Sequence, residues 1–248
     1  MSVVFALWLR QIKRHFRSRT RLIGSLGQPV LFLLALGFGL GPMFRKAGEG
    51  DYLQFLAPGV IAMPILFVAV FSGMEIIWDR QFGFLKETLV APVSRIQIVL
   101  GRVLGGATVA WFQGCLVFLI CVIFGFRINN ILFLPLALGV MFLLAIFCSA
   151  MGTAVASLLE DIQGFQMMMN FLVMPLFFLS NALFPLKGVP PVLRVVIQLN
   201  PLSYGIDGLR CCLTGGMLHG LGVDMGVLLV LITAMLALCT WLFSLIQL

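Results

Sequence analysis

The chain has 248 residues, 61% of them hydrophobic and only 10% charged, with a mean hydropathy of +1.13. A soluble domain carries roughly 25% charged residues, so this composition excludes a water-coated fold and indicates an integral membrane protein. The net charge of +7 is the Lys/Arg excess expected of loops facing an anionic leaflet; without a soluble domain to hold a basic groove, nucleic-acid binding is not expected.

In residues 3–19, Phe5, Trp8, Leu9, Ile12 and Phe16 share one helical face, while Arg10, Lys13, Arg14 and Arg17 crowd the rest. This pattern predicts an amphipathic helix lying in the membrane interface. The apolar run that follows extends from Leu22 to Met43 without an A-x-A-like cleavage site, so an uncleaved anchor is expected instead of a signal peptide.

A span needs about 20 mostly apolar residues to cross a core of ~30 Å. Six stretches meet this, at about 22–43, 53–78, 96–125, 131–158, 164–184 and 222–246. Between the last two, residues 187–215 hold several charges and two short apolar pieces, 189–199 and 202–213. Neither piece crosses alone. Paired, they predict a re-entrant helical hairpin covered by protein; the alternative is one broken seventh span, which would move the C-terminus to the other side. With the N-terminus in the cytoplasm, ten basic residues lie inside (Arg10, Lys13, Arg14, Arg17, Arg19, Arg21, Arg80, Lys86, Arg95 and Arg102) against six outside. Both termini are then expected to be cytoplasmic. No internal repeat or linker breaks the chain, so 1–248 is expected to be a single all-α transmembrane domain.

Small residues recur four apart at Gly37/Gly41, Gly101/Gly105 and Gly152/Ala156, the spacing that lets helices approach closely in lipid. Charged residues sit at span ends: Glu75 and Asp79 one turn apart, with Arg102 positioned to pair with either, and Asp207 and Arg210 three apart in the hairpin. The six cysteines lack metal or disulfide spacing, and consecutive Met167, Met168 and Met169 point to different helix faces, so no metal site is expected. Catalytic motifs are absent, as is G-x-x-x-x-G-K-[ST], so no catalytic residue, bound cofactor or ATPase activity is expected of this chain.

The link between the second and third spans, "WDRQFGFLKETLVAPVSR", is unusually charged for this chain. Phe82, Leu85 and Leu89 align on one face beside Arg80, Lys86 and Glu87, and Pro92 stops the helix. The pattern fits a short amphipathic docking helix over 80–91, the alternative being an interfacial helix that simply anchors the loop.

At this point the sequence resembles the permease subunits of ABC type-2 exporters, the branch of drug-resistance, polysaccharide and lipo-oligosaccharide export systems. "QFLAPGVIAM", "GFLKETLVAPVSR" and "LNPLSYGIDGLR" match that family's pattern in order. The resemblance implies a half-transporter in the bacterial inner membrane: two permease chains, expected as a homodimer, with two separate ATPase chains that bind ATP and Mg. It implies that Arg80, Phe84, Leu85, Lys86 and Glu87 form the coupling helix seated in the ATPase, with the turn at Glu160 and Asp161 as a secondary contact. It also implies a substrate path along the second and fifth spans, with Phe67, Phe71, Phe177 and Phe178 facing an amphiphilic or lipid-linked cargo. Two other functions fit the composition: an ion-coupled secondary transporter or channel, and a membrane assembly scaffold that transports nothing.

Overall fold

A computed structural model describes residues 3–46, 51–84, 93–184, 190–216 and 220–245. These are helical, with no strand among the described residues. The helices are α1 (Val3–Arg17), α2 (Arg19–Phe32), α3 (Gly39–Lys46), α4 (Tyr52–Ser72), α5 (Met74–Gln81), α6 (Arg95–Ile123), α7 (Leu134–Leu158), α8 (Ile162–Phe178), α9 (Pro191–Leu199), α10 (Pro201–Thr214) and α11 (Leu221–Ser244). A π-helical stretch, Leu33–Phe38, joins α2 to α3, and a 3₁₀ turn, Ile131–Phe133, leads into α7.

Five helical runs are long and apolar enough to cross a membrane: Leu22–Phe44, Tyr52–Gln81, Arg95–Ile123, Ile131–Leu158 and Leu221–Ser244. They fall on five of the six predicted spans. The predicted span 164–184 is shorter than expected: α8 has 17 residues and ends at Phe178, a rise of about 25 Å. It stops because Leu179–Phe184 turn away, with Asn181 in the left-handed region at φ 58°, a conformation Asn tolerates better than most residues. The predicted hairpin region contains two short helices, α9 and α10, joined at extended Asn200.

Helix α4 forms the axis of the bundle, with residues 56–66 all buried. It packs against α6, α7 and α10, while α11 covers α7 and α10. Its two internal prolines, Pro58 and Pro64, remove backbone N–H donors, which a helix enclosed by other helices accommodates better than one facing lipid. The outer surfaces of α8 and α11 expose Met167, Phe171, Val230 and Trp241. Such faces are costly in water and suited to hydrocarbon.

Each of the three small-residue pairs has a member set against another helix; a Cβ on Gly37 would lie 3.4 Å from Leu53 Cδ1. A Cβ on Gly101 would lie 2.9 Å from Leu7 Cβ, and one on Gly105 would strike the Gln11 side chain, so this pair admits α1 against α6. Gly152 lies against the Val70 carbonyl, and its own carbonyl faces Gly73. Here the α4–α5 junction and α7 touch backbone to backbone, as small residues allow in lipid. A Cβ on Gly41 would meet nothing within 4 Å in this chain.

Candidate functional site

The α1 end of the bundle gathers charge around one carboxylate. Asp79, on the last turn of α5, is 4% exposed. Its Oδ1 accepts from Arg10 of α1 at 2.5 Å, and its Oδ2 accepts from Arg102 of α6 at 2.7 Å. Arg102 is equally buried, so each charge depends on the other for compensation. One turn earlier, Glu75 lies 3.9 Å from Arg14, whose guanidinium rests over the Trp78 ring at 4.8 Å. Helix α1 is held further by Trp8, whose indole N–H donates to Thr108 Oγ1 at 3.0 Å. Its basic residues therefore bind protein carboxylates as well as facing outward, which the periodicity alone did not reveal.

The same end joins the second span to the α7–α8 turn. Arg80 donates to the Leu159 carbonyl at 3.4 Å and lies 3.7 Å from the Glu160 carboxylate, and Gln81 donates to the Glu160 carbonyl at 3.2 Å. Asp161 caps α8, accepting from Gly164 N at 2.6 Å. Arg80, Glu160 and Asp161, assigned from sequence to separate loops, thus form one surface. Phe84 is exposed, with the Arg10 guanidinium 5.9 Å from its ring centroid. Leu85, Lys86, Glu87 and the rest of the predicted docking helix lie outside the described residues. At the start of α6, Arg95 donates to the carbonyls of Phe243 and Ser244, tying α6 to the end of α11.

The four predicted path residues divide into two pairs. Phe67 and Phe71 stack at 6.5 Å with planes 7° apart, and both line a cavity of about 470 Å3 beside α1. Phe177 is buried against Phe32 (6.4 Å) and Phe178 (5.8 Å), while Phe178 is exposed at the end of α8.

At the far end of the bundle, the "LNPLSYGIDGLR" segment is a set of clamps. The Asn200 side chain accepts from Leu202 N, capping α10, and donates to the Leu176 and Leu179 carbonyls that end α8, at 2.7 and 2.9 Å. Pro201 occupies the first turn, where its missing N–H costs nothing. Ser203 and Tyr204 donate back to the Ile197 and Gln198 carbonyls of α9. Arg210 donates to the Asn181 and Phe55 carbonyls at 3.0 and 3.3 Å, sits 4.1 Å from the Phe55 ring centroid, and lies within the field of Asp207.

A family model described as "ABC-2 type transporter" matches residues 2–214, which include the charged end, the second-to-third-span link and the Asn-Pro segment. This chain belongs to the ABC-2 type transporter family. It is 32% identical over 206 residues to a putative transport permease ycf38 of Cyanophora paradoxa, covering 80% of this chain and 71% of the relative. It is 28% identical over 245 residues to the inner membrane transport permease YadH of Escherichia coli K12 (98% and 93%), and 26% identical over 232 residues to nodulation protein J of Rhizobium leguminosarum bv. viciae (91% and 89%). As a member of the ABC-2 family the chain is a membrane-spanning transport permease.

Within this ABC-2 permease, the Asp79 hub was only half legible. Sequence placed Arg102 within reach of Glu75 or Asp79, and the structure selects Asp79. Arg10 was missed as a partner because nothing local says where α1 crosses the bundle. The available signal was Gly101/Gly105, the small-residue pair that receives α1.

Proposed function

We propose that this chain is the permease subunit of an ATP-driven exporter, moving an amphiphilic or lipid-linked substrate outward while a separate ATPase supplies the work. The observation that carries this is the Asp79 hub. The segment leaving α5 toward the predicted coupling helix is joined by buried charge to α1 and α6, and through Arg80 and Gln81 to the α7–α8 turn. A push on that segment reaches several rigid helices at once, as a rigid-body switch requires.

The complex holds two permease chains as a homodimer and two ATPase chains, and ATP with Mg is bound by the ATPase. The single transmembrane domain lies in the bacterial inner membrane, with α1 in the interface and both termini in the cytoplasm. Helix α8 is the fifth of six spans, at the short limit of about 17 residues, and α9–α10 form the re-entrant element near the outer face. Arg80, Phe84, Leu85, Lys86 and Glu87 meet the ATPase, with Glu160 and Asp161 beside them, and Phe67, Phe71, Phe177 and Phe178 border the path. The name nodulation protein J on one relative and transport permease on others supports transport without fixing the cargo.

Affinity purification of the tagged chain from its native membrane, followed by reconstitution, tests the proposal. An ATPase chain that co-purifies and gives ATP-dependent outward flux is expected. Flux driven by an ion gradient alone, with no ATPase bound, would sink it in favour of a secondary transporter.

A further inference from the structure

The cavity beside α1 is lined by both polar and apolar side chains. Its wall on the second span runs from Phe67 to Trp78, eleven residues or about 16 Å of rise, close to half the ~30 Å hydrocarbon core. Phe67, Val68, Phe71 and Val109 supply apolar lining, alongside Ser25, Ser72 and Gln166. Gln11, Arg14 and His15 of α1, with Glu75 and Trp78 of α5, supply the polar wall. A volume of about 470 Å3 falls within the usual range of roughly 300–1,000 Å3 for ligand sites, which likewise combine apolar walls with few polar groups.

The polar wall has unused bonding capacity. Gln11 is more than nine-tenths buried, with its unpartnered amide oxygen set against Gly105 of α6, and the Trp78 indole N–H also lacks a hydrogen-bond partner. A buried polar group left in this state is unfavourable, and a ligand head that supplies the missing partner after a side-chain rotation relieves it. Arg14 and Glu75 stand 3.9 Å apart, a loose ion pair compared with the 2.5 and 2.7 Å contacts of the Asp79 hub. A purely anionic head would meet Glu75, and a purely cationic one would meet Arg14. A head bearing both signs complements both.

We propose that this cavity is a binding site for a single-chain amphiphile with a zwitterionic head, the chain lying along Phe67 and Phe71 and the head between Arg14 and Glu75. The direction of access, from the cytoplasmic leaflet, rests on the export reading above; the site itself does not.

The test uses the full chain in nanodiscs of phosphatidylglycerol. Doxyl-labelled lysophosphatidylcholine is titrated, and the Trp78 contribution to quenching is isolated by subtracting the Trp78→Phe variant. Saturable quenching is expected, displaced by unlabelled lysophosphatidylcholine about tenfold better than by single-chain phosphatidylglycerol, the effect of one charge-assisted contact. Glu75→Gln and Arg14→Gln should each weaken binding by roughly the same factor. Val68→Phe, which adds bulk to the apolar lining, should abolish saturation, while Leu238→Phe on the exposed face of α11 should leave it unchanged. Linear, unsaturable quenching overturns the proposal, as does saturable quenching that ignores Glu75→Gln and Val68→Phe or that favours the anionic competitor. The assay needs no ATPase. An ATPase partner without a saturable site removes the site and leaves the exporter; a saturable site without an ATPase does the reverse.

Discussion

At the α1 end of the bundle, helices are joined through paired charges, Asp79 with Arg10 and Arg102, Glu75 with Arg14, and Glu160 with Arg80, together with bonds from Arg80, Gln81 and Arg95 to backbone carbonyls. At the far end, side chains bind backbone carbonyls: Asn200 to Leu176 and Leu179, Tyr52 to Leu183, Asn129 to Thr214, and Arg210 to Phe55 and Asn181. A carbonyl clamp fixes where a helix ends and gives it one address. An ion-pair hub connects elements that remain separate rigid bodies, and its partners can exchange as those bodies move. Carbonyl bonds occur at both ends, so what sets apart the α1 end, the one proposed to receive motion, is its buried ion-pair hub.

The largest effect should follow breaking the hub. Asp79→Ala leaves Arg102 buried without its partner, and losing one member of such a pair costs about 3–5 kcal/mol. Thermal unfolding of the purified chain should show it, and Arg102→Met in the same chain should recover part of the loss. No recovery would mean that Asp79 acts alone.

Next is the far-end clamp. Asn200→Ala removes a helix cap and two bonds to the end of α8, together about 2–3 kcal/mol. Because those bonds are remote from the hub, the variant should lose stability yet still co-purify with its ATPase. Loss of partner binding at unchanged stability would erase the distinction between the ends.

A smaller effect separates packing from charge. Gly101→Leu forces a side chain into Leu7 and should displace α1, at about 1–3 kcal/mol, while leaving all the charges in place. Protease susceptibility near residue 18 should rise. If it does not, ion pairs alone hold α1. The smallest effect is expected for Arg80→Ala: its partner Glu160 is exposed, and such pairs contribute roughly 0–1 kcal/mol. Stability should barely move, whereas flux per ATP hydrolysed should fall.

Much of the fold was legible because apolar length is a strong signal. Five predicted spans coincide within a few residues with helical runs, whereas the face that α1 packs on α6 carries Val4, Leu7 and Gln11 and leaves Phe5 and Phe16 exposed. The end of α8 was not, because residues 179–184 are as apolar as a span. Only Ser180 and Asn181 hint at the turn, and the capping group, Asn200, lies some twenty residues away. The candidate site divided in the same way. Arg80 and Glu160 were identifiable as charges at loops, but their proximity depends on how α5 and α7 pack, which is set by the Gly73–Gly152 contact. The cavity had no local signature, since Gln11, Glu75 and Phe67 become neighbours only once α1 is docked.

The most direct test of the contrast between the ends is site-specific photo-crosslinking in native membranes. A photoreactive residue replaces exposed Phe84 at the α1 end or exposed Leu199 at the far end. The account predicts a cross-link to an ATPase chain from position 84 and none from position 199. A cross-link from 199, or none from 84 in a complex that still transports, would contradict it.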